Sequence, residues 1–169
     1  MRSDHIPLRN TEERTRSSWA APVSIILGSL VTLLPFIATF PFLPPFGLLM
    51  LLGWRLTRAE AVKVWMAVPL GLIDDMVSGQ PLGSAMLLWT LCFLAIDILD
   101  TRLVWRDFWQ DWLLASGAIG FCLIAGRLVA APFSAHVDTA LMMQIIVSAL
   151  LFPVASRFCG WLDRDTIQR

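Results

Sequence analysis

Residues 17–54 read SSWAAPVSIILGSLVTLLPFIATFPFLPPFGLLMLLGW and contain no charged side chain. Two other long stretches are equally free of charge, one between Asp75 and Asp97 and one between Asp138 and Arg157. A helix needs roughly 20 mostly apolar residues to cross the hydrocarbon core of a bilayer. The first stretch is long enough for two such passes around its prolines. The pattern predicts an integral membrane protein.

Composition predicts the same class. Of the 169 residues, 57% are apolar and 15% are charged, and the mean hydropathy is +0.69. About a quarter of the residues in an ordinary soluble domain are charged, so a soluble domain of this length could not cover so much apolar surface. The formal net charge is zero. Because no basic stripe alternates with aromatic residues, we do not expect nucleic acid as a partner. The expected partner is the lipid bilayer.

The apolar runs predict an all-α integral membrane protein with six transmembrane helices. The breaks between the runs coincide with prolines and glycines, which end helices. The domain should cover residues 18–162, with a disordered cytoplasmic tail at 1–17 and a short cytoplasmic tail at 163–169. The first run is too long for the apolar region of a secretory signal peptide, so we expect no cleaved leader. The expected spans are residues 19–40, 46–56, 59–77, 83–99, 112–131 and 139–161.

The basic residues predict the orientation of these spans. All 13 lysines and arginines except Arg127 fall on the side of the termini when six spans alternate. The positive-inside rule then places both termini in the cytoplasm of a bacterial inner membrane. Most tryptophans fall near the predicted cytoplasmic helix ends, where the indole ring prefers the interface. These are Trp19, Trp54, Trp105, Trp109, Trp112 and Trp161.

Residues 103–112 show an amphipathic pattern. Trp105, Phe108, Trp109 and Trp112 recur at i, i+3, i+4 and i+7, so they share one face of a helix. This spacing predicts a short amphipathic helix that lies in the membrane interface before the fifth span. The alternative is that these residues simply extend the fifth span.

Four ionisable residues fall at membrane depth, where such groups are costly and point to a function. They are Asp74, Asp75, Asp97 and Arg127. At a rise of about 1.5 Å per residue, the two adjacent aspartates and Arg127 come to a similar depth near the outer surface. We therefore expect Asp75, or as second choice Asp74, to pair with Arg127. A capping role for the carboxylate and a contact to a partner or ligand remain open beside it.

No residue pattern predicts catalysis, a cofactor or a metal. Adjacent carboxylates on a helix point about 100° apart, so Asp74 and Asp75 cannot both address one substrate atom. The three cysteines have no CxxC or Cys/His spacing. Because Cys92, Cys122 and Cys159 all lie in apolar runs, we interpret them as small hydrophobic residues.

Residues 71–83, GLIDDMVSGQPLG, resemble the most recognisable segment of the MreD family. That segment has glycine-leucine, then an aspartate, then serine-glycine-x-proline-leucine-glycine. Asp74 stands where an apolar residue is usual, so the resemblance gives it no role. Residues 45–55, PFGLLMLLGWR, are similar to the family's proline, apolar run and aromatic before a basic turn. The matching positions of the first segment are Gly71, Asp75, Gly79, Pro81, Leu82 and Gly83.

The resemblance implies a non-catalytic scaffold of the bacterial cell-elongation machinery. Such a protein binds the bitopic protein MreC and, with MreB, RodA and a class B penicillin-binding transpeptidase, supports rod shape and lateral peptidoglycan synthesis. It also implies a six-helix bundle similar to the S-components of ECF vitamin transporters. The alternative function is therefore a small-molecule binding subunit of a transporter, although few polar residues are available for an outer-face pocket. The residues expected to bind a partner or to be structural are Asp75, Gly79, Pro81, Leu82, Gly83 and Arg127.

Overall fold

The computed structural model describes residues 9–33, 43–58, 61–101, 107–130 and 138–168. These residues form six helices and no strand, which confirms the predicted all-helical class. The helices are α1 (Arg9–Val31), α2 (Phe46–Thr57), α3 (Val64–Ser78), α4 (Ser84–Asp100), α5 (Phe108–Ala130) and α6 (Asp138–Gln168).

Two of these helices are long and apolar enough, by length and composition, to cross a bilayer. The segments are Phe108–Val129 in α5 and Thr139–Arg164 in α6. Trp19–Val31 in α1 and Phe46–Thr57 in α2 are apolar but shorter. Membrane crossing by six helices stays a prediction.

Both predicted tails are partly helical. α1 begins at Arg9, inside the segment expected to be disordered, and α6 continues to Gln168, beyond the expected end at residue 162. Residues 9–17 are therefore helical where disorder was expected, and residues 1–8 and 169 lie outside the described residues. The cytoplasmic position of both tails stays a prediction. Extending an existing helix costs little compared with nucleating one, and glutamate and arginine are good helix formers.

The first helix ends earlier than its apolar run. α1 stops at Val31, and Thr32 and Leu33 form a turn in which the amide of Thr32 donates to the carbonyl of Ser29 over 3.1 Å. Pro35 follows, and a proline lacks the amide donor and disfavours helical backbone in the residue before it. The rest of the predicted first span, residues 34–40, lies outside the described residues.

The fifth helix includes the described part of the predicted amphipathic segment. α5 is continuous from Phe108, so Phe108 and Trp112 belong to the same helix as the fifth apolar run. This is the arrangement that the alternative interpretation predicted. Residues 102–106 lie outside the described residues, and a separate interfacial helix there stays a prediction.

The shortest helix forms the centre of the bundle. α2 packs between α1 and α6 and also touches α5. α3 and α4 form a hairpin, in which α3 contacts α1. A helix that is apolar all round is normally buried, and nine of the 12 residues of α2 are buried. The indole of Trp54 lies inside this core and donates to the hydroxyl of Ser24 over 2.7 Å.

This packing gives two of the predicted interfacial tryptophans partners inside the bundle. Trp54 is buried, and Trp112 donates from its indole to the carbonyl of Ala149 on α6 over 2.9 Å. Both rings therefore connect helices. Trp19, Trp109 and Trp161 are exposed, as an interfacial position requires, and Trp105 lies outside the described residues.

Polar contacts define two ends of the bundle. At one end, which we call the Arg55 end, Arg55 and Arg58 at the end of α2 pair with Asp97 and Asp100 of α4 and with Asp163 of α6. The carboxyl-terminal ends of three alternate helices therefore meet there. The opposite end contains the α3–α4 turn, and we call it the Asp75 end.

Candidate functional site

The α3–α4 hairpin is held together by one carboxylate. Asp75 lies one turn before the end of α3, and its side chain reaches the first turn of α4. Its Oδ1 accepts hydrogen bonds from the Ser84 hydroxyl (2.9 Å) and the Ala85 amide (2.8 Å), and its Oδ2 accepts from the amides of Gly83 (2.9 Å) and Met86 (3.4 Å). The residue is fully buried.

This arrangement is an amino-terminal cap supplied by the preceding helix. The first amides of a helix have no partner within the helix, and the helix dipole favours negative charge there. The carboxylate of Asp75 therefore compensates for its burial by satisfying several donors of α4. It also joins the end of α3 to the start of α4.

The structure gives Asp75 partners other than the predicted one. The sequence predicted an ion pair with Arg127, but all the hydrogen bonds that the described residues make to this carboxylate come from the start of α4. The physical reason is that converging amides stabilise a buried carboxylate without the burial of a second charge. The turn does lie near α5, since the Gln80 side-chain oxygen is 3.9 Å from the position of a Cβ on Gly126, and the depth of Asp75 and Arg127 in the membrane stays a prediction.

Two glycines allow the turn to reverse the chain. Gly79 follows α3 with φ of 68°, and Gly83 precedes α4 with φ of 96°. Residues other than glycine rarely adopt this left-handed backbone conformation. The turn falls at one of the breaks that the sequence predicted between the apolar runs, where prolines and glycines occur.

Gly71 brings the backbones of α3 and α4 into contact. A Cβ at this position would lie 2.6 Å from the Cα of Met86, 2.7 Å from its nitrogen and 2.9 Å from the carbonyl carbon of Ala85. These atoms are all backbone, so no side chain could move to make room. Gly71 and Asp75 are four residues apart and share one face of α3, which explains why the glycine and the aspartate occur together in the segment.

The tip of the hairpin is exposed although its base is rigid. Pro81 and Leu82 are both exposed, and the fractional exposure of Leu82 is 73%. Met76, on the outer face of α3, is 71% exposed. The Asp75 end thus presents apolar side chains on a turn whose position is fixed by buried hydrogen bonds.

Asp74 has a structural role that the sequence did not indicate. Its Oδ1 accepts a hydrogen bond of 2.6 Å from the hydroxyl of Ser29 on α1. Gly47 of α2 lies beside this bond, because a Cβ there would sit 3.0 Å from the Asp74 oxygen and against the Ser29 hydroxyl. This hydrogen bond therefore connects α1 to α3 beside a glycine of α2. It depends on the packing of three helices, so the sequence alone could not indicate it.

A second polar cluster lies at the Arg55 end. The Arg55 Nη2 lies 2.8 Å from Asp97 Oδ1 and 3.1 Å from Asp100 Oδ2, and its guanidinium carbon is 5.9 Å from the centroid of the Phe93 ring. The Arg55 side chain is 4% exposed. A guanidinium over an aromatic face is favourable, and a buried one requires carboxylate partners. The sequence placed Arg55 on the side of the termini and Asp97 at membrane depth, and it did not predict their pairing.

The cavities between the helices are apolar. One cavity of about 610 Å³ lies between α1, α2 and α6, and another of about 540 Å³ lies between α4 and α5. Aliphatic and aromatic side chains form nearly all of both linings. Within the described residues, no group of three or more histidine, cysteine, aspartate or glutamate side chains could hold a metal ion.

The sequence comparisons give one family. Residues 13–161, most of the chain, match the family model described as rod shape-determining protein MreD. No curated protein and no solved structure matches the chain significantly.

Proposed function

We propose that this chain, which belongs to the MreD family of rod shape-determining proteins, is a non-catalytic inner-membrane scaffold of the cell-elongation machinery. It binds MreC and thereby supports rod shape and lateral peptidoglycan synthesis, together with MreB, RodA and a class B penicillin-binding transpeptidase. The observation that carries the proposal is the Asp75 hairpin, which presents exposed apolar side chains on a rigid base. Preorganised surfaces of this kind lose little entropy when a protein partner binds.

The scaffold crosses the membrane six times and has both termini in the cytoplasm. The meeting of the carboxyl-terminal ends of α2, α4 and α6 at the Arg55 end supports this topology, because alternate passes must end on one side. The basic residues favour the Arg55 end as cytoplasmic. The hairpin tip is then periplasmic.

A reporter enzyme that is active only in the periplasm tests this topology. Fused after Arg169 it should stay inactive, and fused after Gln80 it should be active, since an even number of crossings separates the termini. Activity of the fusion after Arg169 would mean that the number of crossings is odd.

Recovery of MreC with the tagged protein tests the partner. Leu82→Asn should reduce that recovery about tenfold, which corresponds to the loss of about 1.4 kcal/mol of apolar contact. Leu82 is exposed and makes no core contact, so the variant should fold normally. Gln80→Asn, a polar change on the same exposed turn, is the matched control and should leave recovery unchanged.

Three results would contradict this proposal. Full recovery of MreC with Leu82→Asn would remove the hairpin tip from the contact. Equal losses with Leu82→Asn and Gln80→Asn would show that the loss does not come from the apolar contact of Leu82. Recovery of an ATPase and a coupling subunit instead of MreC would support the transporter alternative.

A further inference from the structure

Two cysteines that are far apart in the sequence meet between α4 and α5. The Sγ atoms of Cys92 and Cys122 are 3.3 Å apart, and both residues are buried. Cys159, the third cysteine, lies between α2 and α6 with its sulfur 3.8 Å from that of Met50. The chain therefore contains one dithiol pair and one separate thiol.

The pair is close to the geometry of a disulfide. A disulfide needs an S–S distance of about 2.05 Å, so the sulfurs must approach by roughly a further ångström. The side chains project from two helices that are already packed together. Rotation about the Cα–Cβ bonds moves the two sulfurs relative to each other.

An apolar cavity reaches Cys92, one member of this pair. Cys92 lines the cavity of about 540 Å³ between α4 and α5, whose other walls include Leu91, Ile96, Leu113 and Phe121. Ligand sites typically have volumes of about 300–1,000 Å³. The wall offers almost no hydrogen-bonding groups, so it favours a lipophilic reagent over a charged, water-soluble one.

We propose that Cys92 and Cys122 form a redox-sensitive dithiol that a lipid-soluble quinone oxidises through this cavity. Two S–H bonds break and one S–S bond forms. The quinone accepts the two electrons and the two protons and leaves as the quinol. The product disulfide links α4, and with it the Asp75 hairpin, covalently to α5.

Counting free thiols tests the proposal on the whole protein in native membranes. After denaturation, a maleimide-polyethylene glycol reagent should add to all three thiols of the reduced protein. After treatment with decylubiquinone, the number should fall from three to one, because the disulfide consumes two thiols. Dithiothreitol should restore all three.

Cysteine variants identify the thiols involved. Cys159→Ser should lose both remaining thiols on oxidation, whereas Cys92→Ser and Cys122→Ser should keep both of theirs. Ferricyanide, a charged oxidant, should act at least tenfold more slowly than the quinone. Each of these expectations follows from the pairing of Cys92 with Cys122 inside an apolar cavity.

Several outcomes would overturn the proposal. Three free thiols after quinone treatment would show that the pair is not oxidised. Loss that dithiothreitol does not reverse would indicate alkylation, and a disulfide-linked dimer would indicate pairing between chains. Equal rates with ferricyanide and quinone would exclude the apolar route. None of these results depends on MreC binding.

Discussion

Asp75→Asn is expected to lower the free energy of unfolding by about 2–4 kcal/mol. The amide replaces one carboxylate oxygen with an NH2 group, which would face the amides of Gly83 and Met86 as a second donor. Hydrogen bonds to a buried charged group are each worth about 1.5–3 kcal/mol. Thermal unfolding and titration with a denaturing detergent, both on the protein in micelles, measure the loss.

Asp74→Asn is the matched control for this prediction. The neighbouring carboxylate accepts from Ser29 through one oxygen, and the carbonyl oxygen of asparagine can accept the same hydrogen bond. The loss should therefore stay below about 1 kcal/mol. Equal losses for the two variants would contradict the capping role of Asp75.

The Asp75 variant also separates architecture from function. If the hairpin presents the surface for MreC, Asp75→Asn should reduce MreC recovery and rod shape even at temperatures where the protein remains folded. Normal recovery and normal cell shape at normal expression would limit Asp75 to an architectural role.

The sequence could predict the helices but not most of their partners. Hydropathy is local, so the run that becomes α4 and the turn with Gly79 and Gly83 were both predicted. Gly71 and Asp75 were also identified together, as parts of the segment of residues 71–83. The capping role of Asp75 could not be predicted, because it depends on the packing of α4 against α3. The backbone amides that donate to Asp75 would be present with any sequence.

Contacts between distant helices show the same limit. The thiol of Cys92 meets that of Cys122, and Ser29 meets Asp74, across intervals that leave no pattern in the sequence. The predicted pair of Asp75 and Arg127 was inferred from depth along the helices alone, and depth does not specify the direction of a side chain around its helix. The end of the first helix was missed for a different reason, since α1 ends at Val31 within an apolar run that shows no break in hydropathy.

Arg55→Met is expected to destabilise the protein by roughly 3 kcal/mol, the lower part of the range of about 3–5 kcal/mol for removing one partner of a buried ion pair. Methionine keeps much of the apolar stem that packs beside Phe93, but it removes the charge that lies between Asp97 and Asp100. Asp97 is 55% exposed, so water can stabilise its charge when Arg55 is removed. Asp100 is 19% exposed, so its charge costs more free energy when Arg55 is removed. The cost should therefore arise mainly at Asp100.

A double-mutant cycle and a matched arginine test this explanation. Adding Asp100→Asn to Arg55→Met should recover part of the lost stability, because the neutral amide no longer needs that cation.

Arg58→Met removes the neighbouring arginine, whose pair with Asp163 is 2.7 Å long but whose side chain is 33% exposed. Water and salt screen such a pair, so the loss there should be about 1 kcal/mol or less. If both arginine variants lose the same stability in detergent titrations, burial of Arg55 does not set the strength of its ion pairs. If Arg55→Met alone is strongly destabilising, the Arg55 cluster is what fixes α2 against α4 at that end of the bundle.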